Sequence, residues 1–179
     1  MAQILLAASL ASSQPQVFDM NDRAEALLAA GDGAAAEAVL DKALVSAEQA
    51  FGAGHSVTAM IARNLALTCL RNGDRSRAER LARQSLSILE TNHGVRDASV
   101  VPALNVLAEV LAASDQLSDA RVLTERAVRV GPDTGPHYAT AVHNLGAIAQ
   151  RQGDLRSAKR YYRLAANECD RLLGSNHPY

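Results

Sequence analysis

The sequence predicts an all-α protein, an α-solenoid of about four antiparallel helix hairpins, from three observations. A small residue is followed seven positions on by a turn centre and five positions later by an alanine, and this happens four times: Ala24, Gly31, Ala36; Ala66, Gly73, Ala78; Ala108, Asp115, Ala120; Gly146, Gly153, Ala158. Equivalent positions stand 42, 42 and 38 residues apart, a period that means stacked supersecondary units and not a compact enzyme core. Alanine also fills many places where large apolar residues normally sit; it has the best helix propensity, and its size lets helices approach closely.

Taken in order, the 3.6-residue periodicity predicts helices at about 19–30, 34–51, 56–72, 75–91, 98–113, 116–130, 136–151 and 155–173. In the second unit Ile61, Leu65, Cys69 and Leu70 share one face, and Ala78, Leu81, Ala82, Leu86 and Leu89 continue the pattern after the turn. Gly73 suits a C′ position, where positive φ carries no steric cost, and Asp74 caps the helix that follows. Gly31-Asp32 and Gly153-Asp154 repeat the device. Asp115 replaces the glycine in the third unit, and aspartate tolerates the left-handed region less well, so a looser turn is expected there. Pro102 is accommodated if its helix starts near Ser99, because first-turn N–H groups have no intrahelical partner.

The repeats are expected at about 17–58, 59–100, 101–138 and 139–179, preceded by a distinct segment, residues 1–16. There Ile4–Ala11 is a short apolar run with small residues, Ser9 and Ala11, placed as before a cleavage site at Ser12. It reads either as a signal-peptide remnant lacking the usual basic start or as an N-terminal capping helix. Export to the periplasm goes with the first reading, a cytoplasmic protein with the second. Eight apolar residues are too few for a bilayer span, which needs about 20.

Eighteen basic and nineteen acidic residues nearly cancel, so no basic field gathers nucleic acid. With 3% aromatics and no Trp, stacking platforms for single strands are missing too. Cys69 and Cys169 fall two hairpins apart and are expected as free thiols, since a disulfide needs Cα atoms within about 7 Å. The histidines are spread along the repeats at turns and helix starts (His55, His93, His137, His177), with no metal-ligand spacing. Gly52–Thr58 lacks the lysine and preceding strand of a phosphate loop, and no serine or cysteine has a general base at a defensible spacing. No catalytic residue, metal or cofactor is expected.

These residues resemble the tetratricopeptide repeat (TPR) family. The small residue, Gly-Asp turn and alanine match at the family's offsets. So do Leu65, Leu107 and Leu145 just before the small residue, the later alanines Ala43, Ala127 and Ala165, and Pro132 as a terminal proline. The long period and the Leu173–Pro178 linker are similar to the 42-residue subtype of kinesin light chains and many bacterial proteins. The aromatic positions are mostly replaced, by Leu40, Ala82 and Thr124, with Tyr162 the exception. The resemblance implies a right-handed superhelix whose first helices line a concave groove that binds a peptide or partner protein.

The outward positions of those first helices supply the candidate partner-binding residues: Arg63, Asn64, Leu67 and Arg71, then Asn105 and Glu109, then His143, Asn144 and Arg151. Carboxamides and guanidinium groups suit the backbone or carboxylate of an extended chain. In relatives an asparagine just ahead of the leucine often has this task, and Asn64 and Asn144 match it; a lysine-and-asparagine clamp is not reproduced. A non-enzymatic interaction scaffold is therefore expected. The alternative is the sensor or targeting arm of a larger signalling enzyme or regulator whose effector domain lies elsewhere; a stand-alone helical enzyme is the third reading. His177-Pro178-Tyr179 resembles the opening of a fifth repeat. The last helix is expected to expose Leu164 or Leu172, and self-association through the C-terminal hairpin follows from that exposure.

Overall fold

The computed structural model describes residues 2–173, with side chains from Gln14 onward. Eight α-helices and two 3-10 turns make up the described chain, and no strand occurs among the described residues. The chain divides into two compact units, Met1–Asn92 and His93–Tyr179. The first is built from α1 (Ala2–Ala29), α2 (Gly33–Phe51), α3 (Ser56–Arg71) and α4 (Arg75–His93). The second holds α5 (Val101–Ala113), α6 (Leu117–Val130), α7 (Pro136–Arg151) and α8 (Leu155–Leu173).

Two boundaries differ from expectation. Helix α1 starts at Ala2, not near residue 19, and continues through Pro15. The side chains of the Ile4–Ala11 run lie outside the described residues, as do residues 174–179 with the end of the expected linker and the fifth-repeat opening. Near Pro102, a 3-10 turn at Ala98–Val100 precedes α5, which places the proline within the first turn where its missing N–H costs nothing.

The hairpin turns share one construction. The N–H of Asp32, Asp74, Gln116 and Asp154 each bonds, at 2.9 Å, to the carbonyl five residues back, on Leu27, Cys69, Leu111 and Ala149. This closure requires a left-handed residue at the turn centre. Gly73 takes φ +94° there, whereas Asp115 takes φ +64°, the one non-glycine residue with positive φ among those described. Helix caps follow the same three-plus-one pattern: Asp32, Asp74 and Asp154 accept from the N–H three residues on, at 3.0, 2.9 and 3.0 Å, and Gln116 makes no such bond.

The Asp154 cap titrates. Hydrogen bonds from Ser157 hold its carboxyl below the usual range, helped by Arg121 and Arg160, against a smaller opposing effect of burial. A depressed carboxyl stabilises the fold above its unfolded pKa, and the contribution is lost as pH falls through the folded value. Asp154→Ala is therefore expected to melt below the wild type at pH 7. The gap should close on acidification below about pH 4, where even an unperturbed aspartate takes up its proton. Melting curves across pH 2.5–7 check this; a gap independent of pH would show that the carboxylate charge does not stabilise the cap.

Within hairpins the repeated alanines sit where backbones meet. Ala36, Ala78 and Ala120 are fully buried, as are Ala24, Ala66 and Ala108 on the first helices. Larger side chains fill around these crossings: Leu40, Ile61 and Leu65 in the first unit, Leu104, Leu107 and Leu111 in the second. Each such side chain contributes about 1.5–3 kcal/mol by leaving water. Ser85 ties α4 to α3 with a buried hydrogen bond to the Ala59 carbonyl (2.7 Å).

Candidate functional site

In the first unit the expected residues Arg63, Asn64, Leu67 and Arg71 all lie on α3. Arg63 and Asn64 are already occupied. Asn64 accepts from the Arg63 guanidinium (3.1 and 3.2 Å) and donates to Asn21 Oδ1 on α1 (2.7 Å), while Asn21 donates to Glu25 (3.1 Å). Burial lowers the Arg63 pKa, partly offset by the charge of Glu25. This network joins α1 to α3, and burial of its donors makes it costly to break. One and two turns further along, Leu67 is half-buried and Arg71 exposed. These two are the side chains of the set open to a ligand in this unit.

In the second unit Asn105 and Glu109 lie one turn apart on α5, and His143, Asn144 and Arg151 on α7. Asn105 donates to the His137 carbonyl (2.8 Å), bringing the start of α7 to α5. Arg151 bonds Asp115 (2.9 Å) and the Ala112 carbonyl, so it ties the end of α7 to the preceding turn. That contact brings a cation to a helix C-terminus and to the strained Asp115, whose left-handed backbone costs about 1–2 kcal/mol. Glu109 and His143 are exposed; the His143 ring lies 5.2 Å from that of Tyr162.

The two units handle the same carboxamide pair differently. Asn21 stands three before its small residue and Asn64 two before the next; Asn105 and Asn144 hold those places in the second unit. Asn64 Nδ2 bonds Asn21 Oδ1, yet Asn144 Nδ2 and Asn105 Oδ1 are both buried with no hydrogen-bond partner. An unpaired buried polar atom costs about 1–3 kcal/mol.

Sequence reasoning missed a second cluster. Glu37 and Asp41 on α2 are bridged by Arg77 from the start of α4, at 2.6 Å for Glu37, and Asn72 bonds Glu37 (2.6 Å) and the Gly33 carbonyl (3.0 Å). The signal was present as an acid pair one turn apart on α2 opposite a basic residue one repeat later. Cys69 joins this cluster, donating to Glu37 at 3.6 Å. Burial, then the Glu37 charge and hydrogen bond, push its thiol up to about 12. Cys169 is half-buried, and both cysteines are free. A thiol reagent at pH 8 is therefore expected to modify one cysteine per native chain, Cys169, and both after unfolding. Rapid labelling of Cys69 would contradict its placement.

No group of three His, Cys, Asp or Glu side chains among the described residues is arranged to hold a metal ion, and no described helix is long and apolar enough to cross a membrane. Family models described as tetratricopeptide repeat match residues 17–91 and 139–179, together more than half of the chain. The chain belongs to the tetratricopeptide repeat family. Its TPR fold is shared with solved structures. BtubC (BKLC) from P. vanneervenii is 21% identical with a TM-score of 0.76, over 99% of this chain and 75% of that one. A putative kinesin light chain from Podosopora anserina with nearly identical TPR-like repeats is 20% identical with a TM-score of 0.75, over 91% and 79%. A MamA RS-1 double mutant is 18% identical with a TM-score of 0.61, over 96% and 84%. No match is found among curated proteins. At these identities the likeness is one of fold. TPR chains in general serve as protein–protein interaction scaffolds, and the stretch left unmatched, 92–138, contains the TPR turn with Asp115 in place of glycine.

Proposed function

We propose that this TPR protein is a non-enzymatic scaffold that holds an extended segment of a partner protein on the first helices of its hairpins. The α5/α7 face of the second unit makes the main contact. The carrying observation is the orphaned pair, the acceptor on Asn105 and the donor on Asn144. A peptide group offers one N–H and one C=O, the complement of that pair. Asn144 is half-buried and its terminal torsion is broad, so a small rotation turns its amide toward a docked chain. Glu109 and His143 of the same unit supply exposed polar contacts beside it.

Photocrosslinking tests this reading. A benzophenone amino acid at Glu109 is expected to capture a partner, and Asn144→Ala to reduce that capture. The same probe at Val122, 60% exposed on α6, is expected to capture little. Equal capture from both positions, or indifference to Asn144→Ala, would place binding elsewhere.

A further inference from the structure

The turn between α2 and α3 carries a second inference. Thr58 Oγ1 donates to the Gly52 carbonyl (2.8 Å), and Asn92 Nδ2, near the end of α4, donates to the Gly54 carbonyl (2.8 Å). His55 adds a third tie: its Nδ1 accepts the N–H of Val57 at 3.1 Å and so caps α3. The exposed ring stacks on Phe51 at the end of α2, with centroids 5.1 Å apart and planes 22° apart. Phe51 in turn meets Phe18 of α1 edge to face at 6.3 Å. The stack holds the imidazole plane in the orientation that the cap needs.

An imidazole differs from the usual capping oxygens in having one lone pair to offer. A proton on Nδ1 and the bond from Val57 exclude each other, so the capped ring is neutral and carries its hydrogen on Nε2. A charged ring would also stand at the positive end of the α3 dipole. Of the three ties only the histidine titrates between pH 5 and 8. The titratable groups within three residues of Phe18, Phe51 and Asn92 are Asp19 on α1, Glu48 on α2, and Glu90 and His93 on α4; the first turn of α3 has none. The three carboxylates favour a charged ring, so the cap, the helix dipole and a charged His93 are what resist protonation. The equivalent helix entries, 42 and 38 residues further on, are built otherwise. Asp97 accepts the N–H of Ser99 at 2.8 Å, the same two-residue reach, and Gly135 makes no side-chain cap. Hydrogen bonds from Ser99 hold the Asp97 carboxyl below the usual aspartate range, so that cap survives well below neutrality.

We propose that the α2–α3 joint is a pH-sensitive hinge of the first unit. On acidification His55 takes a proton at Nδ1, the Val57 N–H loses its acceptor, and the first turn of α3 opens while Thr58 and Asn92 keep the chain in place. The capped state binds no proton at Nδ1 and the uncapped state does. The cap's contribution is therefore complete above the range in which an exposed imidazole titrates and is lost as pH falls through about 6.5.

Amide hydrogen exchange on the full chain tests this. The Val57 N–H lies in the first turn of α3 and has no intrahelical partner, so its protection reports the cap alone. Corrected for the intrinsic pH dependence of exchange, that protection is expected to fall about fivefold between pH 7.5 and 5.0, the worth of a typical helix cap. The protection of Ser99 should stay level over the same range. His55→Asn keeps an acceptor that does not titrate, and there the Val57 protection should not change with pH. Nitrogen-15 spectra of the wild-type imidazoles give a readout that needs no variant: at pH 7.5 His55 is expected as the Nε2–H tautomer. Level Val57 protection across pH in the wild type, an equal fall in His55→Asn, or an Nδ1–H tautomer at pH 7.5 would overturn the proposal. Because Glu109 and Asn144 take no part here, failure of this test leaves the α5/α7 reading standing, and the reverse holds too.

Discussion

Ala120→Leu is expected to lower stability by about 1–3 kcal/mol, a loss of several degrees in melting temperature for a unit of this size. Ala120 is fully buried, its carbonyl already accepts from Thr124 Oγ1 (2.7 Å), and Leu107 and Ala108 of the facing helix are buried as well. Three added carbons have no void to enter, so the α5/α6 crossing must open or the leucine must leave its rotamer. Val122→Leu, on an exposed position two residues away, is the control and should be neutral. An unchanged melting temperature for Ala120→Leu would show that the crossing is not where the repeat register places it.

Gly146→Ala is expected to cost a similar amount, about 1–3 kcal/mol, for a reason peculiar to the fourth hairpin. A Cβ at Gly146 would stand 2.8 Å from two ring carbons of Tyr162, closer than carbon atoms approach. The ring does not yield freely, because its hydroxyl bonds Gln150 (2.9 Å) and His143 lies against it. Hairpins with alanine at the small position carry Leu40, Ala82 or Thr124 opposite, never an aromatic. Glycine at 146 and tyrosine at 162 are thus one choice made twice. A double-mutant cycle checks this: in a Tyr162→Ala background the cost of Gly146→Ala should nearly vanish. Additive costs would mean that the glycine serves the backbone and not the ring.

Both effects were half-legible in the sequence. The offsets from small residue to turn to alanine gave the register, since a backbone crossing excludes a side chain whatever surrounds it. That Tyr162 stands over Gly146 was not legible, because sixteen residues and a reversal of direction separate them. The start of α1 was misplaced for a related reason: polar Ser12–Gln16 and Pro15 read as a break, whereas the helix runs on through them.

The candidate site divides the same way. Sequence alone determined that this is a TPR chain of α-hairpins, which residues close the turns, and which polar side chains stand on the first helices. Those properties are local or periodic, so spacing carries them. Only the tertiary structure decided which of those polar groups are already in use. Arg63 and Asn64 bind into the α1–α3 network and Arg151 latches the Asp115 turn, while Arg71, Glu109 and His143 stay exposed. It also separated two carboxamide pairs that read identically in sequence, one closed between Asn21 and Asn64 and one left open at Asn105 and Asn144. Whether a buried amide meets its partner depends on the distance and angle at which packing holds the two side chains, and contacts from distant parts of the chain set both.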